Sequence, residues 1–228
     1  AIDIKTNSSE RLYKYATRVL HRLKNRTGLF TGQGLVRPDQ NIRGAEMIIT
    51  APDTQGLELR MNEKYNLSIS ADKIILTAET DIGAMRGLET FLQLLDCDEK
   101  GYFFPQIEIE DSPRFAWRGL LIDVSRHFEP VHVIKRNLDA MAALKMNVLH
   151  WHLSDDQGFR VESKVYPKLH QEASDGYYYT QSQIKDIIKY ARDRGIRIVP
   201  EFDVPSHATG FIVAYPKLAS LLDPPTEL

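Results

Sequence analysis

The sequence contains a single cysteine, Cys97, and this scarcity excludes a disulfide within the chain. No apolar run approaches the roughly 20 residues that a membrane-spanning helix needs. The 29 Lys and Arg residues nearly balance the 31 Asp and Glu residues, and the formal net charge is −2. The charge balance therefore favours neither nucleic acid, nor a polyanion, nor an anionic membrane as a partner.

Several motifs of common enzyme classes are also missing from the sequence. There is no HExxH motif, no Gly-rich phosphate loop after a predicted strand, no internal repeat and no low-complexity segment. What is present is an ordinary globular composition, with 43% hydrophobic and 26% charged residues over 228 positions. A chain of this length can form one large domain or two modest ones.

Residues 1–112 mix helical and strand patterns and predict a small α+β domain. Ser8 is the predicted cap of a helix in which apolar residues recur at helical spacing from Leu12 to Leu23. The other predicted elements are strands at 45–50, 65–70, 73–78 and 107–110 and a helix at 81–95. Only Ala71-Asp72 separates the second and third of these strands, which predicts a hairpin.

The pattern changes at Asp111-Ser112-Pro113, where we place the domain boundary. Residues 113–228 alternate between strand and helix, with Thr180 and Gln183 forming the capping box of one helix. The predicted strands span 119–124, 147–153 and 196–202, and the predicted helices follow Pro130 and Thr180. Such alternation predicts an α/β fold with a parallel sheet, either an open doubly wound sheet or a barrel.

Polar groups follow each predicted parallel strand. They are Arg126 and His127 after the first, Asp155 and Asp156 after the second, and Asp203 and His207 after the third. Each has a structural explanation when taken alone: a surface arginine, a turn or helix-capping aspartate, or a structural histidine. Their occurrence at three equivalent positions favours a (β/α)₈ barrel, because loops after the strands build the active site of that fold.

Longer stretches carry a family resemblance. WRGLLIDVSRHF at 117–128, NVLHWHLSDDQGF at 147–159 and RGIRIVPEFDVPSHATGF at 194–211 resemble the β-N-acetylhexosaminidases of glycoside hydrolase family 20. GAMRGLETFLQLL at 83–95 resembles the end of the α+β domain that precedes the barrel in that family. The resemblance implies an α+β accessory domain at 1–112, followed at 113–228 by the first part of a catalytic TIM (β/α)₈ barrel.

The resemblance also implies a chemistry. Members of the family remove terminal β-linked N-acetylglucosamine or N-acetylgalactosamine with retention, and the sugar's own acetamido oxygen is the nucleophile. By resemblance, Arg126 binds sugar hydroxyls, and Asp155 holds His207, which in turn contacts the acid/base glutamate. The implied partners are glycans that end in N-acetylhexosamine, and no cofactor or metal is implied.

The sequence departs from the family pattern in the catalytic Asp-Glu pair. That pair belongs to a later GGDE-type motif, and residues 113–228 contain no Asp-Glu dipeptide. We therefore expect a front portion of the enzyme that is inactive alone and has an incomplete, open-edged barrel. Apolar side chains expected at the exposed surface of such a sheet are Leu120, Ile122, Val148 and Ile198.

Two other function classes remain open from the sequence. His150 and His152 share one face of a strand near Asp155, which is compatible with a metal-dependent barrel hydrolase. Without the Asp-Glu pair, a non-catalytic carbohydrate-binding protein is also compatible with the sequence. The start at Ala1 and three Asn-x-Ser/Thr triplets, at Asn7, Asn25 and Asn66, suggest a secreted, periplasmic or lysosomal-type compartment.

Overall fold

The computed structural model describes residues 1–5, 10–30, 32–38, 42, 44, 46–220 and 224–228. The predicted cap Ser8 and the triplet at Asn7 lie outside this part of the chain. The chain forms two compact units of mixed α/β structure. Unit 1 consists of Ala1–Trp117, Ala142–Lys145 and Asp193–Gly195, and unit 2 consists of Arg118–Met141, Met146–Arg192 and Ile196–Leu228.

Unit 1 is built on a five-stranded sheet in the order β1-β2-β4-β3-β7. Strands β1, β2 and β4 run parallel, while β3 runs antiparallel to both β4 and β7. The predicted β3–β4 hairpin is confirmed, and a short β5–β6 hairpin forms separately. The elements are β1 (Ile2–Ile4), α1 (Glu10–Thr27), β2 (Met47–Thr50), β3 (Tyr65–Ile69), β4 (Ile74–Ala78), α2 (Asp81–Gln93), β5 (Asp96–Asp98), β6 (Gly101–Phe103) and β7 (Ile107–Asp111).

Helix α2 lies inside the core of unit 1, and all of its residues except Gln93 are buried. Two glycines allow it to approach the sheet closely. A Cβ atom at Gly87 would lie 2.3 Å from the Leu76 side chain, and one at Gly83 would lie 2.4 Å from the Lys64 carbonyl oxygen. The glycine spacing along α2 therefore reflects packing against β3, β4 and the chain just before β3.

The buried charges of α2 are all paired. Arg86 donates to Glu63 at 2.7 Å, where both side chains are 2% exposed, and also donates to the carbonyl oxygen of Gly195 at 2.9 Å. Asp81 and Glu89 each form an ion pair with an arginine of α1. A buried ion is costly unless it is paired and hydrogen-bonded, so these pairs make the burial of α2 possible.

Unit 2 contains a three-stranded parallel sheet in the order β12-β9-β8. The predicted strands and the Thr180–Gln183 capping box are confirmed, with both reciprocal hydrogen bonds formed. Within the described residues, β8 and β12 each pair with β9 alone. The elements are β8 (Gly119–Asp123), α3 (Val131–Ala143), β9 (Val148–His152), β10 (Ser154–Asp155), β11 (Gly158–Phe159), α4 (Lys168–Glu172), α5 (Gln181–Arg192), β12 (Arg197–Glu201), α6 (Thr209–Ala214) and a 3₁₀ turn at Pro216–Leu218.

The exposed apolar residues of this sheet differ from those predicted. Val148 is only 1% exposed, because it lies in the central strand between its register partners Gly119 and Arg197. Leu121 is instead 52% exposed. Leu120, Ile122 and Ile198 are partly buried. Among the helices that the structure describes, none is both long and apolar enough to cross a membrane.

The Arg86–Glu63 pair predicts a large loss of stability when one partner is removed. In an Arg86→Met variant the buried Glu63 carboxylate would lose its cation, and we expect the free energy of unfolding of unit 1 to fall by about 3–5 kcal/mol. A Glu10→Gln variant is the control, because it removes the solvent-exposed pair with Lys14 and should cost about 0.5 kcal/mol or less. Urea unfolding measures both, and similar losses in the two variants would contradict the prediction.

Candidate active site

The last residues of the three parallel strands form one row across the sheet. Asp123 pairs in register with His152, and His152 pairs with Glu201. Register partners project from the same face of a sheet, so the three side chains meet at the carboxyl end of the strands. His150 lies two residues earlier in β9 and therefore on the same face. The row gathers acidic and imidazole groups where a barrel fold builds its active site.

His152 lies between two carboxylates. Its Nδ1 atom is 3.0 Å from Glu201 Oε2, and its Nε2 atom is 2.9 Å from Asp155 Oδ2. Glu201 Oε2 is also 2.6 Å from His150 Nε2. Asp155 is 1% exposed and His152 is 5% exposed, so this part of the network is shielded from water.

The network moves the pKa values of its members in opposite directions. Burial lowers the pKa of His152, but the close contacts with the Glu201 and Asp155 carboxylates outweigh it and raise the pKa above 6.5. The close contact with His152 lowers the pKa of Glu201 below 4.5, against the opposing effect of burial. Both directions favour a charged pair of imidazolium and carboxylate at neutral pH.

Arg126 lies in the loop after β8 and contacts two carboxylates. Its Nη1 atom is 2.6 Å from Asp123 Oδ2, and its Nη2 atom is 2.5 Å from Asp155 Oδ2. Asp123 also accepts the backbone N–H groups of Ser125 and Arg126 at 2.9 and 3.0 Å. Burial opposes ionisation of Asp123, yet these hydrogen bonds keep its pKa below 3.8. The Arg126 side chain is nevertheless 49% exposed, so the guanidinium is oriented and still open to a ligand.

Arg160 fixes the loop that carries Arg126. This buried guanidinium donates to the carbonyl oxygens of Ser125 at 2.7 Å, Gln157 at 2.8 Å and Ser174 at 2.6 Å. Burial lowers the pKa of Arg160. Gly158 is required beside it, because its φ is +155° and a Cβ atom there would lie 2.4 Å from the guanidinium carbon. No motif in the sequence predicted a role for Arg160.

His207 occupies the third strand-end loop in a strained conformation. Its φ is +53°, a left-handed value that is uncommon for residues other than glycine. Its Nδ1 atom lies 3.3 Å from Asp155 Oδ1 and 3.2 Å from Asp156 Oδ2. Strained residues of this kind persist only where surrounding contacts hold them, and two carboxylates do so here.

Asp156 has the capping role that its position after a strand suggested, but it caps a distant helix. Its Oδ1 atom accepts the backbone N–H of Thr209 at 3.2 Å and the Thr209 hydroxyl at 2.8 Å, at the first residue of α6. These hydrogen bonds, the hydroxyl bond first, lower the pKa of Asp156. The same carboxylate contacts His207, so it links the start of α6 to the site.

The structure brings together the predicted site residues Arg126, Asp155 and His207, because Arg126 and His207 both contact the buried Asp155 carboxylate. His127, which also follows β8, does not join them: its side chain is 87% exposed. Sequence reasoning assigned no role in the site to Asp123 or Glu201, and it raised His152 only for a metal site. The signal that could have identified all three is their shared position at the end of a predicted parallel strand.

Three overlapping groups of side chains bring potential ligand atoms within 4.8 Å of one another. Their members are Asp123, His152 and Asp155; His152, Glu201 and Asp203; and Asp155, Asp156 and His207. The cations already present compete for these carboxylates, because the Arg126 guanidinium lies 2.5 Å from Asp155 Oδ2. In the first group a divalent cation would have to displace that guanidinium from Asp155 Oδ2, so those three side chains fit an ion-pair network better than a metal centre.

The fold and the site together define a mixed α/β protein with acidic and basic side chains gathered at the carboxyl ends of parallel strands. Comparisons with known proteins assign the chain to a family. The model of the glycosyl hydrolase family 20 catalytic domain matches residues 115–226, and a model described as beta-acetyl hexosaminidase like matches residues 5–94. The chain belongs to glycoside hydrolase family 20.

Individual relatives agree with this assignment. Beta-hexosaminidase subunit A2 of Dictyostelium discoideum is 43% identical over 176 residues, which are 76% of this chain and 32% of the relative. The chitobiase of Flavobacterium johnsoniae is 50% identical with a TM-score of 0.95, over 98% of this chain and 34% of that one. An exo-β-N-acetylglucosaminidase from Vibrio harveyi is 31% identical with a TM-score of 0.77, over 97% and 35%. The chain spans about a third of the length of the curated relatives it matches.

The lowered pKa values of the site carboxylates predict a stability that decreases in acid. Asp156 contributes stability above its ordinary pKa of 3.8, and this contribution is lost as the pH falls through its lower folded-state pKa. An Asp156→Asn variant should therefore be less stable than the native chain at about pH 7, and the difference should shrink towards about pH 3. Urea unfolding at several pH values measures this difference.

Asp186→Asn is the matched control, because Asp186 pairs with Lys135 at the surface of unit 2. We expect this variant to differ little from the native chain at either pH, since exposed ion pairs contribute about 1 kcal/mol at most. A loss in Asp156→Asn that stays constant across the pH range would contradict the role of its charge.

Proposed function

We propose that this chain supplies the sugar-binding side of a β-N-acetylhexosaminidase active site. The proposed reaction removes terminal β-linked N-acetylglucosamine or N-acetylgalactosamine from glycans. The observation that carries the proposal is the buried Asp155 carboxylate, which contacts Arg126 on one side and His207 on the other. Two matched structures, from Vibrio harveyi and Streptomyces plicatus, contain N-acetylglucosamine, which supports this sugar as the ligand.

Arg126 is the proposed contact for the sugar hydroxyls. A guanidinium presents five N–H donors in a rigid plane, and the contacts with Asp123 and Asp155 hold that plane in place. The guanidinium N–H groups that remain exposed can donate to two neighbouring hydroxyl groups at once. A lysine ammonium at this position would keep the charge but lose the planar geometry.

His207 is the proposed link to the acid/base group, and Asp155 is the residue that holds it. Because carboxylates face its Nδ1 atom, this nitrogen carries a proton, and Nε2 is the atom available to contact a catalytic carboxyl group. Such a contact would influence the proton affinity of that group. The acetamido group of the sugar is the proposed nucleophile, as the family chemistry implies.

The proposed domain arrangement follows the family: an accessory α+β domain at residues 1–112 and the first part of a (β/α)₈ barrel at residues 113–228. A secreted, periplasmic or lysosomal-type compartment remains a prediction. The Asp-Glu pair that the chemistry needs does not occur in residues 113–228. This absence favours sugar binding without hydrolysis as the second candidate function of the 228-residue chain.

Binding of N-acetylglucosamine tests the role of Arg126 directly. We expect the native chain to bind the sugar weakly, and both Arg126→Lys and Arg126→Ala to weaken binding by about tenfold or more, because the planar donor set is lost. Arg136→Ala is the matched control, since Arg136 is an exposed arginine of α3. Ligand-detected NMR or calorimetry measures the affinities, and equal binding by Arg126→Ala and the native chain would overturn the assignment.

Hydrolysis of an aryl N-acetylglucosaminide tests the chemistry. We expect no turnover by residues 1–228 alone, because the Asp-Glu pair that the family chemistry uses does not occur in residues 113–228. The two variants are then compared in a longer protein that contains both this chain and a catalytic Asp-Glu pair. There, Arg126→Ala should mainly raise KM, and His207→Ala should lower kcat and shift its pH profile. Turnover by the chain alone, or unchanged kinetics in both variants, would contradict the proposed roles.

A further inference from the structure

His152 has an acidic partner at each ring nitrogen. Nδ1 is 3.0 Å from Glu201 Oε2, and Nε2 is 2.9 Å from Asp155 Oδ2. A neutral imidazole carries a hydrogen on one nitrogen and a lone pair on the other. In that form, one of the two nitrogens would place a lone pair about 3 Å from a carboxylate oxygen, which is repulsive. Both contacts become attractive when both nitrogens carry hydrogen.

The groups around His152 are mostly acidic. Asp123 approaches from β8, Glu201 and Asp203 from the end of β12, and Asp155 from β10, while His150 precedes it on the same face of β9. Three of the acidic groups have a further cationic or imidazole contact. Arg126 lies against Asp123 and Asp155, and His150 lies against Glu201.

Protonation of a carboxylate is the alternative way to remove the repulsion. At Asp155, the Oδ2 atom that faces His152 also lies 2.5 Å from the Arg126 guanidinium, so a proton on that oxygen would face a second cation. Protonation is disfavoured at Glu201, because Oε2 also lies 2.6 Å from His150 Nε2. The proton is therefore best placed on the imidazole of His152.

We infer that His152 is a positioning residue that is held as an imidazolium and bridges Glu201 to Asp155. Its importance for sugar recognition rests on the proposed function, but its charge state does not. The bridge engages Asp155 Oδ2 together with Arg126. Asp155 Oδ1 then remains directed at His207 Nδ1 and at the backbone N–H of Asp156, which it accepts at 2.7 Å. Glu201 thus orients the Asp155 carboxylate through His152.

Nitrogen chemical shifts of the histidine rings test the charge state. In the ¹⁵N-labelled 228-residue chain, we expect both nitrogens of His152 to show protonated shifts at about pH 7, where an ordinary histidine is mostly neutral. On raising the pH, His152 should lose its proton later in the native chain than in a Glu201→Gln variant. Glu172→Gln is the matched control, because Glu172 is exposed on α4 and pairs with Lys168.

The same variants test the positioning role without any sugar. Glu201→Gln should shift the side-chain signals of Arg126 and His207, because a weakened bridge releases the carboxylate between them. Glu172→Gln should leave those signals in place. A His152 ring that is neutral at about pH 7 would overturn the inference. Unchanged side-chain signals of Arg126 and His207 in Glu201→Gln would also overturn it.

Failure of this inference is distinguishable from failure of the proposed function. If the native chain binds no N-acetylglucosamine while the His152 ring is doubly protonated and coupled to Arg126 and His207, the proposed function fails and the inference stands. If the sugar binds and the ring is neutral, the inference alone fails. Should Glu201→Gln fail to fold, the nitrogen shifts of the native chain still decide the charge state.

Discussion

The burial of the Asp155 carboxylate is the constraint on which the rest of the candidate site depends. A carboxylate that is 1% exposed is tolerated only when cations and N–H donors surround it. Here these come from three separate segments: Arg126 after β8, His152 at the end of β9 and His207 after β12. The carboxylate therefore links three segments that meet at the carboxyl end of the parallel sheet.

The parallel sheet makes this convergence possible. In-register pairing places Asp123, His152 and Glu201 side by side, so one row of backbone hydrogen bonds aligns three charged side chains. The loops add a second layer of restraint. Arg160 ties Ser125 to the turn at Gln157, and Asp156 ties that turn to Thr209. The positive φ of His207 is held within this framework, as expected for a site whose geometry is established before a ligand arrives.

The sequence allowed prediction of the elements that have clear periodicity. The three parallel strands of unit 2, the long helices and the β3–β4 hairpin were predicted, because their apolar runs, alternation or helical spacing extend over five or more residues. Strands β1, β5, β6, β10 and β11 were not predicted, since two or three residues are too few to establish a period. The exposure of Leu121 and the burial of Val148 also required the three-dimensional register, because sequence alone does not show which strand is central.

The site shows the same division between local and long-range information. Arg126, Asp155 and His207 were identified because each follows a strand and matches a family motif. Glu201 was not assigned, because its partners His150 and His152 lie about 50 residues away in sequence and meet it only through the pairing of β9 with β12. Arg160 was missed for a related reason: its acceptors are backbone carbonyl oxygens, and no sequence motif reports which carbonyls a buried guanidinium will meet. Sequence motifs thus point to charged groups that the fold brings together, whereas the groups that orient them become visible only once strand register and loop contacts are known.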